Sequence, residues 1–81
     1  MTDHWVYIVR CSDGTYYTGY TTDPERRIAE HNEGAGAKYT RGRTPVEAVY
    51  RERCRSRGAA LRREHELKGL SRADKAALAD E

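Results

Sequence analysis

The sequence predicts an α+β fold in which a small three-stranded, mostly antiparallel sheet is flanked by helices in the order ββαβαα. Three observations lead to this prediction. A β-branched and aromatic run near the N-terminus is followed by Asp-Gly turn chemistry and a second, tyrosine-rich run. A third β-prone run lies in the middle of the chain. Helical segments with recognisable cap residues follow the second and third runs. This order predicts that the helices pack against the sheet.

The first two runs predict a β-hairpin. The run "HWVYIVR" is apolar on both faces, as expected of a buried central strand, and "TYYTGY" follows the turn at Asp13 and Gly14. An odd-numbered loop would project Tyr7 and Tyr17 from the same face of the hairpin. A two-residue loop would instead place Tyr7 beside an even-numbered neighbour such as Tyr16.

The segment "TTDPERRIAEHN" predicts the first helix. Pro24 suits the first helical position, and either Thr22 or Asp23 can cap the helix. Glu25 stands where a capping box places its acidic residue. The helix is expected to end near Gly34.

The second half of the chain predicts a glycine-rich loop, a strand and two helices. The loop is "EGAGAKYTRGRTP", and the third strand runs from Val46 to about Glu52. The second helix is expected from Ser56 to Lys68, with Gly69 at its C-cap. Ser71 caps a short last helix, in a capping box closed by Asp74.

Length and composition predict one soluble, cytoplasmic domain over residues 1–81. The hydrophobic fraction of 37% is too high for a disordered chain, and no apolar run approaches the ~20 residues that span a membrane. No signal-peptide pattern opens the sequence. Cys11 and Cys54 lack the CxxC spacing of a zinc site, so structural zinc is not expected.

The cationic residues are mostly arginine, which binds phosphate with a planar fork of donors. They predict a basic surface for nucleic acid. The alternative is a solvated surface of ion pairs, because glutamates are interleaved with the arginines. The dense arginine group comprises Arg41, Arg43, Arg51, Arg53, Arg55, Arg57, Arg62 and Arg63.

The first helix presents a cation and an imidazole on one face. Arg27 and His31 are four residues apart, and they flank Ile28, the only large aliphatic side chain of this helix. They are therefore expected near the edge of the sheet. Arg26 lies further round and is expected to contact solvent or phosphate.

The second long helix carries a carboxylate inside its predicted buried stripe. Because a carboxylate on an apolar face needs a partner, Glu64 is expected either to pair with Arg27 or to hold a divalent cation. Sequence alone slightly favours the ion pair. The residues that mark the stripe are Ala60, Leu61, Leu67 and Lys68.

Together these segments resemble the GIY-YIG nuclease superfamily, and within it the short, stand-alone proteins of the UPF0213 (YhbQ-like) type. "VYI" at 6–8 and "YTG" at 17–19 stand where the family has GIY and YIG. "RIAEH" at 27–31 matches its R-x-x-x-H helix, and "ALRREHELK" at 60–68 matches the A-x-x-x-E-x-x-x-K pattern of its metal-binding glutamate. The resemblance extends from Trp5 to about Leu78.

The resemblance implies metal-dependent hydrolysis of a phosphodiester bond. Glu64 would hold one Mg²⁺ or Mn²⁺ ion, and Arg27 would stabilise charge on the phosphoryl oxygens in the transition state. Tyr7 is the first choice for the base that deprotonates water, and Tyr17 is the second. His31 would bond a phosphate or a tyrosine hydroxyl.

The implied substrate is DNA, including branched or single-stranded forms, with weak or structure-based selectivity during repair or recombination. The resemblance does not identify a protein partner. Two alternatives remain open: a nucleic-acid-binding module with little or no catalysis, and a small interaction protein with a structural Arg27–Glu64 pair. The expected DNA-binding residues are Gly19, Arg26, Lys38, Tyr39, Arg41, Arg43 and Lys68.

Overall fold

The computed structural model describes residues 3–80, in which the predicted element order ββαβαα is confirmed. The predicted domain also includes residues 1, 2 and 81, which lie outside the described residues. A 3₁₀ turn in the long loop is an addition to the predicted elements. The elements are β1 (His4–Arg10), β2 (Tyr16–Thr21), α1 (Pro24–Asn32), the 3₁₀ turn (Lys38–Thr40), β3 (Glu47–Cys54), α2 (Arg57–Lys68) and α3 (Arg72–Ala79).

The sheet is antiparallel throughout, in the order β2-β1-β3. Residues 11–15 form the β1–β2 turn, so the loop is odd-numbered and odd residues of β1 face odd residues of β2. Tyr7 pairs with Gly19, and Val9 pairs with Tyr17. The predicted placement of Tyr7 and Tyr17 on one face of the hairpin is confirmed.

The central strand β1 is buried on both faces, because helices cover both sides of the sheet. Its even-numbered residues Val6 and Ile8 pack with α2, through Ala60 and Leu67. On the opposite face, a second core cluster lies beneath α1, which contributes Ile28. This second cluster comprises Tyr7, Val9, Cys11 and Val46, with Tyr17 packed against it.

The start of α1 corrects one prediction. Asp23 is the N-cap, and its side chain accepts a hydrogen bond from the backbone N–H of Arg26. Pro24 occupies the first turn as predicted. Because Asp23 and not Thr22 is the cap, Glu25 falls one position short of the capping-box site. Its carboxylate instead accepts a hydrogen bond from Arg51 of β3, at 2.7 Å.

The buried face of α2 is narrower than the sequence predicts. Ala60 and Leu67 are buried, whereas Leu61 is 40% exposed and Lys68 is exposed. Positions 60, 64 and 67 lie on one side of a helix, and position 61 is rotated by about 100° from position 60. Ser56 and Ser71 cap α2 and α3, as predicted.

The third strand begins one residue later than predicted and extends to Cys54. The backbone of Val46 is bonded to the Asn32 side chain in both directions, at 2.7 and 3.1 Å, so it is not available to the sheet. These two bonds hold the end of the long loop against the last turn of α1.

Within residues 3–80, both cysteines are free thiols. No helix in this part of the chain is long and apolar enough to cross a membrane.

The two leucines of α2 provide a test of which face is buried. Leu67→Ala should lower the free energy of unfolding by about 2–5 kcal/mol, because it leaves a cavity under the sheet. Leu61→Ala is the matched control and should cost less than about 1 kcal/mol. Urea unfolding followed by circular dichroism measures both. Equal losses for the two variants would contradict the assigned face.

Candidate active site

Tyr7 occupies the centre of the cluster of candidate side chains. Its side chain is 1% exposed, and its ring lies across Gly19 of the neighbouring strand. A Cβ atom at position 19 would come closer than 3.0 Å to three atoms of the Tyr7 side chain, including the hydroxyl oxygen. Gly19 is therefore required by the path of the Tyr7 ring over β2.

His31 of α1 meets this phenol inside the protein. The imidazole is fully buried, and its Nε2 lies 2.8 Å from the Tyr7 hydroxyl. Its Nδ1 lies 2.8 Å from the hydroxyl of Thr40 in the 3₁₀ turn. Both ring nitrogens are therefore hydrogen-bonded, and the ring has one defined orientation between β1 and the long loop.

Tyr17 lies beside this pair and connects it to the surface. Its ring centroid is 6.5 Å from that of Tyr7 and 5.4 Å from that of His31. Tyr39 of the 3₁₀ turn stacks on Tyr17, with centroids 5.8 Å apart, and the Arg43 guanidinium lies 4.5 Å from the Tyr39 centroid. The cluster therefore extends from the buried phenol to the exposed loop.

The ion pairs of Arg27 and Glu64 differ from the predicted Arg27–Glu64 pair. Arg27 donates to Glu30 on its own helix at 3.1 Å, and Glu64 pairs with Lys68 on its own helix at 3.3 Å. Each partner is one helical turn away, so each pair forms without any contact between α1 and α2. This finding removes the structural pair on which the interaction-protein alternative depended.

Glu64 is nevertheless part of the same electrostatic environment as Tyr7. Its side chain is only 18% exposed, and its charge contributes to raising the Tyr7 pKa. Arg27 and Glu64 therefore affect the charge of the phenol from two different helices, α1 and α2.

The charge states of the central pair follow from burial. Burial raises the pKa of Tyr7 from 10.0 to about 12, and the nearby Arg27 guanidinium opposes this rise. Burial also lowers the pKa of His31, and the charge of Arg27 adds to that effect. Both groups are therefore neutral at pH 7, as a phenol and an uncharged imidazole.

The site at Glu64 suits only a metal ion that takes few of its ligands from the protein. No group of three or more His, Cys, Asp or Glu side chains is positioned to share a metal ion in the described part of the chain. Mg²⁺ keeps several of its waters and commonly takes one or two protein carboxylates together with substrate phosphates. A single, largely buried carboxylate whose charge acts on the Tyr7 phenol fits an ion bound in that way.

The predicted DNA-binding residues do not share one environment. Arg26, Lys38 and Arg41 are exposed. Arg43 forms an ion pair with Asp13, and its guanidinium covers part of the Tyr39 ring, which is 43% exposed. Lys68 is paired with Glu64, and Gly19 is buried beneath the Tyr7 ring.

The dense arginine group is partly a surface of ion pairs. Arg51 pairs with Glu25, and Arg63 pairs with Glu52. The ion-pair interpretation therefore holds for these members of the group, and the glycine-rich loop keeps unpaired cations at Lys38 and Arg41 among the described residues.

Sequence reasoning missed Thr40 and Gly36 as parts of this site. Thr40 bonds His31, and a Cβ at position 36 would come closer than 3.0 Å to three atoms of His31. Nothing in the sequence distinguishes Thr40 from Thr44 in the same loop, because the contact depends on how the loop returns to α1. Glu30 was missed as well, although its i, i+3 spacing from Arg27 was a usable signal.

Gly19→Ala should destabilise the protein by about 1–3 kcal/mol, because the added methyl group displaces the Tyr7 ring in a packed site. Gly58→Ala in α2 is the control. Its added Cβ meets no atom closer than 3.8 Å, so it should be neutral or stabilising by about 0.5–1 kcal/mol. Denaturant unfolding measures both changes. A Gly19→Ala protein as stable as the parent would contradict the close approach of the ring.

Stability should depend on Tyr7 at alkaline pH. Its folded pKa lies above the unfolded value, so the folded state binds the proton more tightly and loses stability as pH rises from about 10 to about 12. The full loss would be roughly 3 kcal/mol. Urea unfolding of the metal-free protein from about pH 9 upward, compared with Tyr7→Phe, isolates this contribution. Parallel curves for the two proteins would show that the phenol is not perturbed.

Known proteins are similar to this chain in sequence, and solved structures are similar to it in fold. Residues 3–77 match the GIY-YIG catalytic domain family. A UPF0213 protein of Natronomonas pharaonis is 65% identical over 80 residues, which cover 98% of this chain and 94% of the relative. A UPF0213 protein of Staphylococcus haemolyticus is 53% identical over 81 residues, covering 100% of this chain and 99% of that protein.

Two solution NMR structures are similar to the fold described here. The UPF0213 protein of Bacillus halodurans has a TM-score of 0.60 and 51% identity, with 96% of this chain and 83% of that chain covered. A protein of E. faecalis has a TM-score of 0.62 and 44% identity, with 93% and 80% covered. On these matches, the chain belongs to the GIY-YIG nuclease family, in its UPF0213 group.

Proposed function

We propose that this protein is a metal-dependent DNA endonuclease that hydrolyses phosphodiester bonds with weak or structure-based selectivity, in DNA repair or recombination. The observation that carries the proposal is the buried hydrogen bond between the Tyr7 hydroxyl and His31 Nε2, with Arg27 and Glu64 close enough to affect the charge of the same phenol. This arrangement supplies a route for a proton, a cation for the phosphoryl oxygens and a carboxylate for a metal ion.

The raised pKa of Tyr7 determines how it can act as a base. A phenol that is protonated at neutral pH can accept a proton from water only if it passes its own proton on. His31 Nε2, at 2.8 Å, is the acceptor. As the water oxygen bonds to phosphorus, the bond from phosphorus to the leaving oxygen breaks. One water O–H bond breaks as well, and a new O–H bond forms on Tyr7. The original phenolic O–H bond breaks, and an N–H bond forms on His31.

Tyr7 is favoured over Tyr17 as this base by the same contact. Within residues 3–80, Tyr17 makes no side-chain hydrogen bond to His31, and its ring stacks on Tyr39 instead. We therefore assign Tyr17 to packing against the imidazole of His31 and against Tyr39 of the long loop.

Arg27 is suited to stabilising negative charge that develops on the phosphoryl oxygens. Its guanidinium is about one third exposed, so it is accessible to a substrate, and its bond to Glu30 restricts its position. A guanidinium that is fixed before the reaction needs no reorganisation in the transition state.

Glu64 is the residue that would hold the metal. The family generally uses divalent metal ions, and we propose one Mg²⁺ or Mn²⁺ ion per site, held by Glu64 together with the substrate. When bound, such an ion would supply Lewis-acid stabilisation of the phosphate. The Lys68 ammonium, 3.3 Å from Glu64, limits how strongly the free protein attracts a cation.

The proposed DNA contact is small. Lys38 and Arg41 are exposed in the loop beside Tyr39, and a single module of this size covers only about 600–1,000 Å² on DNA. An interface of that kind rests mainly on phosphate contacts, which carry little sequence information. Binding should therefore be weakly specific and strongly dependent on salt.

The alternative is a nucleic-acid-binding module with little or no catalysis. The Lys68–Glu64 pair favours it, because a satisfied carboxylate has less need of a metal ion. This alternative has the same DNA contacts as the nuclease and differs only in turnover.

The nuclease proposal is tested by a Mg²⁺ or Mn²⁺ titration with duplex, single-stranded, flap and branched DNA. The parent should cleave at least one of these substrates. Glu64→Gln should lower the rate by at least about 10²-fold, because it removes the metal carboxylate while keeping the side-chain shape. Its free energy of unfolding should change by less than about 1 kcal/mol, since the amide keeps the shape of the side chain and the Lys68 partner is half exposed to solvent.

Glu66→Gln on the outer face of α2 is the matched control for this experiment. It removes the same charge from the same helix, and it should cleave at the parent rate. Cleavage of none of the substrates by the parent would contradict the nuclease proposal. Undiminished DNA binding by both the parent and Glu64→Gln would then favour the binding module.

A further inference from the structure

We propose that Thr40 is a positioning residue that fixes the tautomer of His31, so that the Nε2 lone pair faces the Tyr7 hydroxyl. The effect on rate rests on the proposed function, whereas the tautomer itself does not. Thr40 is fully buried and lies in the 3₁₀ turn between α1 and β3, nine residues beyond His31.

The hydroxyl of Thr40 has one proton, and a backbone carbonyl lies within hydrogen-bond distance to accept it. Thr40 Oγ1 donates to the carbonyl oxygen of Ala37, at 2.9 Å. Toward His31 Nδ1, at 2.8 Å, the same oxygen can therefore only accept a hydrogen bond. With the hydroxyl proton placed in this bond, His31 carries its proton on Nδ1, and in the neutral ring Nε2 is left as an acceptor for the Tyr7 hydroxyl.

Gly36 keeps the ring in this arrangement. A Cβ at position 36 would come closer than 3.0 Å to Nδ1, Cγ and Cα of His31, so the backbone of the loop packs directly on the imidazole. A ring turned over by 180° would place carbon atoms against both hydroxyls and lose both hydrogen bonds.

The tautomer determines whether the pair can move a proton. With the proton on Nδ1, Nε2 can take the proton that Tyr7 releases. With the proton on Nε2, the imidazole would donate to the Tyr7 oxygen, and the phenol would have no acceptor on this side. Thr40 therefore acts on the reaction through His31, without touching the substrate.

The tautomer can be read directly from the nitrogen-15 shifts of His31, using NMR on the full chain without metal or DNA, above about pH 8 so that the ring is neutral. The parent should show a protonated Nδ1 and an unprotonated Nε2. Thr40→Val removes the acceptor while keeping the shape, and it should shift the population toward the Nε2–H form. Thr40→Ser should keep the parent spectrum. Thr44→Val, in the same loop, is the control and should leave the His31 shifts unchanged.

A parent protein with the proton on Nε2 would overturn the proposal, and so would a Thr40→Val protein with the parent tautomer. The parent measurement decides even if Thr40→Val fails to fold. In the cleavage assay, Thr40→Val should lower kcat by about 10²-fold with little change in KM, and Thr40→Ser should restore it. An unchanged kcat would also overturn the proposal. A parent that cleaves nothing would remove the nuclease assignment while the tautomer result stood.

Discussion

The buried hydrogen bond between Tyr7 and His31 constrains most of the surrounding structure. A buried phenol or imidazole left without a partner costs about 1–3 kcal/mol, so the two groups hold β1 and α1 in one relative position. The apolar contact under α1 is small, with Ile28 as its aliphatic contribution. Two glycines accommodate the pair: Gly19 leaves room for the phenol, and Gly36 leaves room for the imidazole.

The same burial determines the chemistry that the pair can perform. It raises the pKa of Tyr7 and lowers the pKa of His31, so both groups are neutral at pH 7 and neither is a strong base alone. Under the proposed function, the two groups together would take a proton from water and store it on the imidazole. The positive charge formed there would lie near Arg27, which Glu30 partly compensates.

The long loop links the buried pair to the charged surface. Arg43 of this loop is attached to the β1–β2 turn by its ion pair with Asp13, and its backbone carbonyl accepts two hydrogen bonds from Ser12. Thr40 of the same loop bonds His31, while Lys38 extends into solvent. Under the proposed function, one loop would therefore both present cations to DNA and hold the imidazole in its working tautomer.

The sequence by itself determined the element order and the serine caps of α2 and α3, because these depend on residues close together in the chain. It left open whether the hairpin loop is odd-numbered and whether Thr22 or Asp23 caps α1. The shared face of Tyr7 and Tyr17, once the loop is odd-numbered, and the four-residue spacing from Arg27 to His31 follow from the same local periodicity. Four short motifs in the right order also determined the family. The chemical roles of the five candidate catalytic residues remain predictions.

Only the tertiary structure decided which partners these residues have. Arg27 and Glu64 each form an ion pair with a residue of their own helix, because α1 and α2 cover opposite faces of the sheet. Leu61 is exposed because the sheet contacts a narrower face of α2 than its composition suggests. Thr40 and Gly36 contact His31 because the long loop returns to α1. The free energy of closing this loop depends on contacts between residues that are distant in sequence.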